Sequence, residues 1–153
     1  MNLKPGTNLL KCILLVASTL AVMSCKSDDD LTGDNPFLID PLVNITLNLS
    51  LPEYNSLNFP GGSVIIPPPQ SPKGVVVYNV NNSQYTAFEI SDPNHTPNSC
   101  SRMEIEGIEA TCPCTTDDNV YNIVTGQHQT DETKFPMMMY RAVRSGNTLQ
   151  ISN

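Results

Sequence analysis

Val43-Asn44-Ile45-Thr46-Leu47-Asn48-Leu49-Ser50-Leu51 alternates apolar and polar side chains without a break. A repeat of two is the period of a β-strand, so Val43, Ile45, Leu47, Leu49 and Leu51 define one buried face and the residues between them the wet one. Outward from this stretch, β-rich runs follow at residues 63–66, 74–80, 85–90, 103–110, 121–124, 138–144 and 148–152. They are separated by Pro60-Gly61-Gly62, Pro67-Pro68-Pro69, Asn81-Asn82 and Ser145-Gly146-Asn147, all turn chemistry. No window after the N-terminal segment has a helical period. Seven or eight short strands at this spacing predict an all-β antiparallel sandwich or barrel-like domain.

The chain has 153 residues, with Asp and Glu totalling 15 against 8 Lys and Arg, and therefore room for one such domain. An acidic chain without a basic patch has no footprint for nucleic acid. With no Trp and 6% aromatic residues, a large aromatic ligand groove is not expected. Pro60-Gly61-Gly62 lacks the Lys of a phosphate loop, and the acidic groups Asp28–Asp30 and Asp117-Asp118 fit no calcium-loop spacing and read as solvated turns. Met137 to Met139 read as a strand carrying core residues, and His128 as an exposed loop residue.

Residues 1–24 read as a signal peptide. Lys4 and Lys11 precede the apolar run Cys12 to Met23, which is too short to span a bilayer comfortably. Val22-Met23-Ser24-Cys25 resembles a bacterial lipobox, which implies cleavage before Cys25 and lipidation of that residue. The mature chain then has 153 − 24 = 129 residues and a charge of 6 − 15 = −9, since both signal lysines are lost and no acid is. Several acyl chains anchor a protein stably. Lys26-Ser27-Asp28-Asp29-Asp30 resembles the export tag of surface-exposed lipoproteins in one Gram-negative lineage. The expected location is the outer membrane and its outer face, with the periplasmic face as the alternative. Residues 25–42 read as the lipidated Cys and an acidic tether, and 43–153 as the domain.

The remaining Cys and His residues gather in two segments, Asp92-Pro93-Asn94-His95-Thr96-Pro97-Asn98-Ser99-Cys100 and Cys112-Pro113-Cys114-Thr115-Thr116. Here the sequence resembles a Rieske domain, whose loops read Cys-x-His and Cys-x-x-His with some sixteen residues between. Residues 96–111 separate His95 from Cys112, which is sixteen. Tyr121 to Gly126 resembles the strand and turn after the second loop, and residues 135–151 its closing hairpin. The resemblance covers residues 43–153 and implies a Rieske-like antiparallel β-sandwich with two ligand-type loops. In that family two Cys thiolates hold one iron of a [2Fe–2S] cluster and two His imidazoles the other.

This chain departs from that ligand set. His95 and Cys112 stand at two of the four ligand positions, and Pro93 and Thr115 stand at the others. Neither Pro nor a Thr hydroxyl replaces a soft donor. The resemblance therefore implies a domain that keeps the fold with a degenerate ligand set: a non-redox binding or assembly module with an unnamed protein partner, no cofactor and no metal, and no complete catalytic set for an enzyme. A [2Fe–2S] electron-transfer protein with unusual ligands is the alternative. A mononuclear site from His95, Cys112 or Cys114, and Asp92 or Asp117 is a third reading, which competes with a disulfide for the same sulfurs. Some Rieske proteins carry an extra Cys in each loop, joined to each other. That pattern implies Cys100–Cys114 in preference to Cys100–Cys112, and a Cys112–Cys114 bridge would be strained.

Overall fold

A computed structural model of the chain describes residues 35–153. The signal peptide, Cys25 and the acidic run after it lie outside the described residues. Of the expected tether, residues 35–42 are described. They lie against the domain: Asn35 donates its amide N–H to the Pro93 carbonyl (2.9 Å), Asn153 donates to Asp40 Oδ1 (2.9 Å), and Leu38 packs on the core.

Nine strands form among the described residues: β1 (Asn44–Asn48), β2 (Ser63–Ile66), β3 (Val75–Asn79), β4 (Tyr85–Glu89), β5 (Glu104–Glu106), β6 (Glu109–Thr111), β7 (Val120–Asn122), β8 (Met139–Ser145) and β9 (Thr148–Ser152). All pairings are antiparallel. Six strands make one sheet in the order β1-β9-β8-β4-β3-β2, and β5-β6-β7 make a small second sheet. The expected run at residues 103–110 is two strands, because Gly107, at φ +60°, turns the chain there.

The alternation at residues 43–49 does what its period requires. Val43, Ile45, Leu47 and Leu49 are buried, while Asn44, Thr46 and Asn48 are exposed. It ends earlier than expected: pairing with β9 stops at Asn48, and Leu51 is 41% exposed. Pro52 then opens a 3-10 helix (Pro52–Asn58) that buries only Leu57.

The six-stranded sheet curls around its own core as a half-barrel. Inward residues of both edge strands, Ile45 of β1 and Ile66 of β2, belong to one cluster with Val75, Val77, Tyr85, Ala87, Tyr140, Leu149 and Ile151. β3 and β4 are buried on both faces, so Val75-Val76-Val77 is continuously apolar. Their second face carries Val76 and Phe88, which pack with Ala110 and Tyr121 from the small sheet and with Ile90, Met103, Ile123 and Met137. The expected all-β antiparallel domain is thus present, as a half-barrel with a small sheet laid on one flank. Truncating a fully buried residue such as Ile151 to Ala costs about 2–5 kcal/mol. The methionine run splits by strand alternation: Met138 enters the first core, Met137 the second, and Met139 is 47% exposed.

Candidate functional site

Two loops leave this framework side by side. The first, residues 90–103, joins β4 to β5, and its neck is closed by Asp92 N–H to the Ser101 carbonyl (2.9 Å) and Met103 N–H to the Ile90 carbonyl (2.8 Å). The second, residues 112–119, joins β6 to β7 and is pinned by Cys112 N–H to the Asn119 carbonyl (2.9 Å). A disulfide joins them between Cys100 and Cys114, with Cα atoms 5.2 Å apart. Cys112 is a free, buried thiol.

His95 projects from the first loop and pairs through Nδ1 with the Asp117 carboxylate of the second. The ring's protonation follows from its other neighbour. Asn98 Oδ1 accepts the backbone N–H groups of Cys100 (2.8 Å) and Ser101 (3.0 Å), so the amide nitrogen is the end that meets His95 Nε2, at 3.0 Å. Nε2 therefore accepts, and Nδ1 carries the proton donated to Asp117. Read from sequence as a solvated turn, Asp117 is a half-buried partner that spans the two loops. Asp118, beside it, is exposed.

Beneath this pair lies a buried polar network. Asp92 is 1% exposed, and its carboxylate accepts from Tyr121 Oη (2.8 Å), Asn119 Nδ2 (2.9 Å) and Asn94 N–H (2.8 Å). Lys134 of the third loop (residues 123–138) donates to Asn119 Oδ1. Asn94 ties the first loop to the third through Phe135, donating to its carbonyl (2.8 Å) and accepting its N–H (3.0 Å). Asp92 is therefore occupied by protein donors. Burial drives the Tyr121 hydroxyl well above the ordinary phenol range, so it stays a neutral donor.

Cys112 lies among these acids. Its thiol is pushed up to about 12, chiefly by burial and then by Asp92 and Asp117 beside it, against a lowering from the Cys114 backbone N–H. The arrangement Asp117–His95 beside Cys112 has the membership of a nucleophilic triad, but a buried thiol held neutral is a poor nucleophile.

His128 is the second correction. It is 8% exposed, because the third loop folds back on β7 through Gln129 N–H to the Val120 carbonyl (2.8 Å). Its Nδ1 accepts from Thr130 and Asp131 N–H (3.3 and 3.1 Å), and the ring packs edge-on against Tyr121, centroids 5.1 Å apart. Nε2 is buried without a partner. The residue packs in the core's margin, away from the two loops' donors.

Two loops linked by Cys100–Cys114 lie side by side, one joining the half-barrel to the small sheet and the other joining two strands of the small sheet. This is the arrangement of two linked loops on an all-β frame that the sequence resemblance to Rieske domains implies. Neither a family model nor a curated protein matches the chain. Solved structures that it resembles include a Rieske protein, ferredoxins and nitrite reductase small subunits. The plasma membrane Rieske protein PetC3 of Synechocystis PCC 6803 is 20% identical over 60% of this chain and 87% of its own, at a TM-score of 0.46. The ferredoxin of carbazole 1,9a-dioxygenase from Nocardioides aromaticivorans IC177 is 14% identical over 74% and 98%, at 0.44. A ferredoxin of Sphingomonas yanoikuyae B1 is 17% identical over 62% and 88%, at 0.42. At TM-scores below 0.5 these are loose likenesses, and they carry neither a fold assignment nor an activity across.

The residues of the Rieske-like loops do not fit a [2Fe–2S] cluster. Such a cluster needs two donors on each iron. Pro93 is buried and has no side-chain donor, and Thr115 offers an exposed hydroxyl. Of the four ligand positions only those of His95 and Cys112 carry a donor of the required kind, one on each loop. What the loops do bring together is a different set: donor atoms of His95, Cys112, Cys114 and Asp117 lie within 4.8 Å of one another.

Proposed function

We propose that this chain is an outer-membrane lipoprotein, anchored through Cys25, whose Rieske-like domain binds no [2Fe–2S] cluster and serves as a non-redox binding or assembly module. One observation carries the reading. The space between the loops is spanned by the protein's own bonds, the Cys100–Cys114 disulfide and the His95–Asp117 pair, while Pro93 and Thr115 occupy two ligand positions. A cluster supplies cross-loop bonds in a Rieske domain, and here side chains supply them. The lipobox-like segment ending in Cys25 and the acidic run after it support the anchor and the outer face.

Two experiments test the two halves. Anaerobic incubation of the full-length protein with ferrous iron, sulfide and a thiol is expected to leave no reducible chromophore after desalting. A cluster retained through desalting would restore the electron-transfer reading. In cells, fatty-acid label is expected on the parent protein and not on Cys25→Ala, with the parent in the outer-membrane fraction. Equal labelling of both would refute the anchor.

A further inference from the structure

We propose that His95, Cys112 and Asp117 form a site for a single divalent ion of the zinc class, assembled between the loops with the Cys100–Cys114 disulfide intact. The inference rests on the reading that these loops hold no cluster, and it names what they bind instead.

The donor set is the first argument. Imidazole, thiolate and carboxylate are the three side chains that zinc accepts, and three protein ligands with one open position make a four-coordinate shell. Calcium and magnesium want oxygen alone, so they are poor candidates for a site with sulfur. Spacing is the second. Ligand atoms in a tetrahedral zinc shell sit about 3.3–3.8 Å apart, given bonds of about 2.0–2.3 Å. The donor atoms here lie within 4.8 Å of one another without an ion, so the widest pair needs to close by only about 1 Å, while His95 and Asp117, now in hydrogen-bond contact, part to admit the ion. Access is the third: the His95 and Asp117 side chains are 14% and 16% exposed, on the solvent side of buried Cys112.

Cys114 Sγ lies in the same cluster, but its bond to Cys100 removes it as a thiolate donor. Asp92 is set aside because three protein donors already occupy it. On binding, the Cys112 proton leaves to solvent as the Sγ–metal bond forms. His95 loses its Nδ1 proton to solvent as the Nδ1–metal bond forms and takes one from solvent at Nε2, with no net change of charge on the ring, so the Asn98 carboxamide shifts off that nitrogen. Asp117 exchanges its hydrogen bond from His95 for a bond to the same ion. No oxidant or reductant is required.

Cobalt(II) reports thiolate ligation directly, so it is the probe. The full-length protein, purified in detergent without reductant, is expected to bind one cobalt per chain. A thiolate-to-cobalt charge-transfer band should appear, and one equivalent of zinc should abolish it. Cys112→Ser should remove the band. His95→Gln and Asp117→Asn should each weaken binding at least tenfold in protein that still folds and melts cooperatively. If Cys112→Ser does not fold, the two partly exposed positions still decide the matter. No band with folded parent protein would overturn the site, as would undiminished affinity in both the His95 and Asp117 variants, or binding only after the disulfide is reduced. Iron and sulfide assayed on the same preparation separate the two claims: a cluster there overturns the proposed function and this site together, whereas failure of cobalt with cluster-free protein overturns this site alone.

Discussion

Replacing Cys100 and Cys114 together by Ala opens the covalent tie between the loops without burying a new hydroxyl, since Cys114 is 4% exposed. The two residues are 14 apart in sequence. Closing a loop of about that length removes roughly 10 cal/mol/K from the unfolded chain, or about 3 kcal/mol at 25 °C. The His95–Asp117 pair and the Asp92 network still hold the loops in the folded state, so the loss falls on the unfolded side. At a urea slope of about 2 kcal/mol/M the midpoint should drop by roughly 1.5 M with the slope little changed. On heating, the melting temperature should fall by roughly 10 °C. Urea melts of parent and double variant at neutral pH, each without reductant, make the comparison. A midpoint lowered by less than roughly 0.3 M would refute the loop-entropy account. It would mean either that the unfolded loops are already held together or that the bond strains the folded ones.

Three further outcomes follow from particular residues. Gly126 adopts φ +76°, and a Cβ there would stand 2.6 Å from Phe88 Cε1, so Gly126→Ala should cost about 2 kcal/mol or more in a urea melt. Asp92→Asn turns an amide N–H toward the Tyr121 or Asn119 donors, and should lower stability by about 2–3 kcal/mol; a melt unchanged from the parent would mean that the network adds nothing. Cys112 is raised in the fold from its ordinary 9.0 to about 12, so the folded chain keeps a proton that the unfolded chain loses between those values. Its contribution is therefore complete below pH 9 and is lost as pH rises toward 12. Urea midpoints across that range should fall less steeply in Cys112→Ala than in the parent, because Tyr121 and Tyr140, both raised by burial, are common to the two chains.

The parts of this fold that were legible in sequence are those where one face meets water. β1 is such a strand, and its alternation places every inward residue. β3 is buried on both faces, so Val75-Val76-Val77 tells that a strand exists but not that two cores meet across it. The 3-10 helix at Pro52–Asn58 buries one residue, too few to leave a period. In the site, His95 and Cys112 were singled out by a resemblance in motif spacing, and the structure brings their donor atoms into one group. The pairing of Asp117 was not legible: Asp117 and Asp118 are the same residue type, and only the approach of the other loop distinguishes the half-buried one from the exposed one. His128 escaped for the same reason, since its burial depends on a loop folding back against β7.

The central claim is that side-chain bonds have taken the place of a cluster between these loops. Iron, acid-labile sulfide and the visible spectrum of the full-length protein, purified under argon from the membrane fraction, test it most directly. The account predicts no iron–sulfide stoichiometry, no brown chromophore before or after dithionite, and Cys100 recovered bridged to Cys114. Close to two irons and two sulfides per chain, with a spectrum that bleaches on reduction, would contradict it.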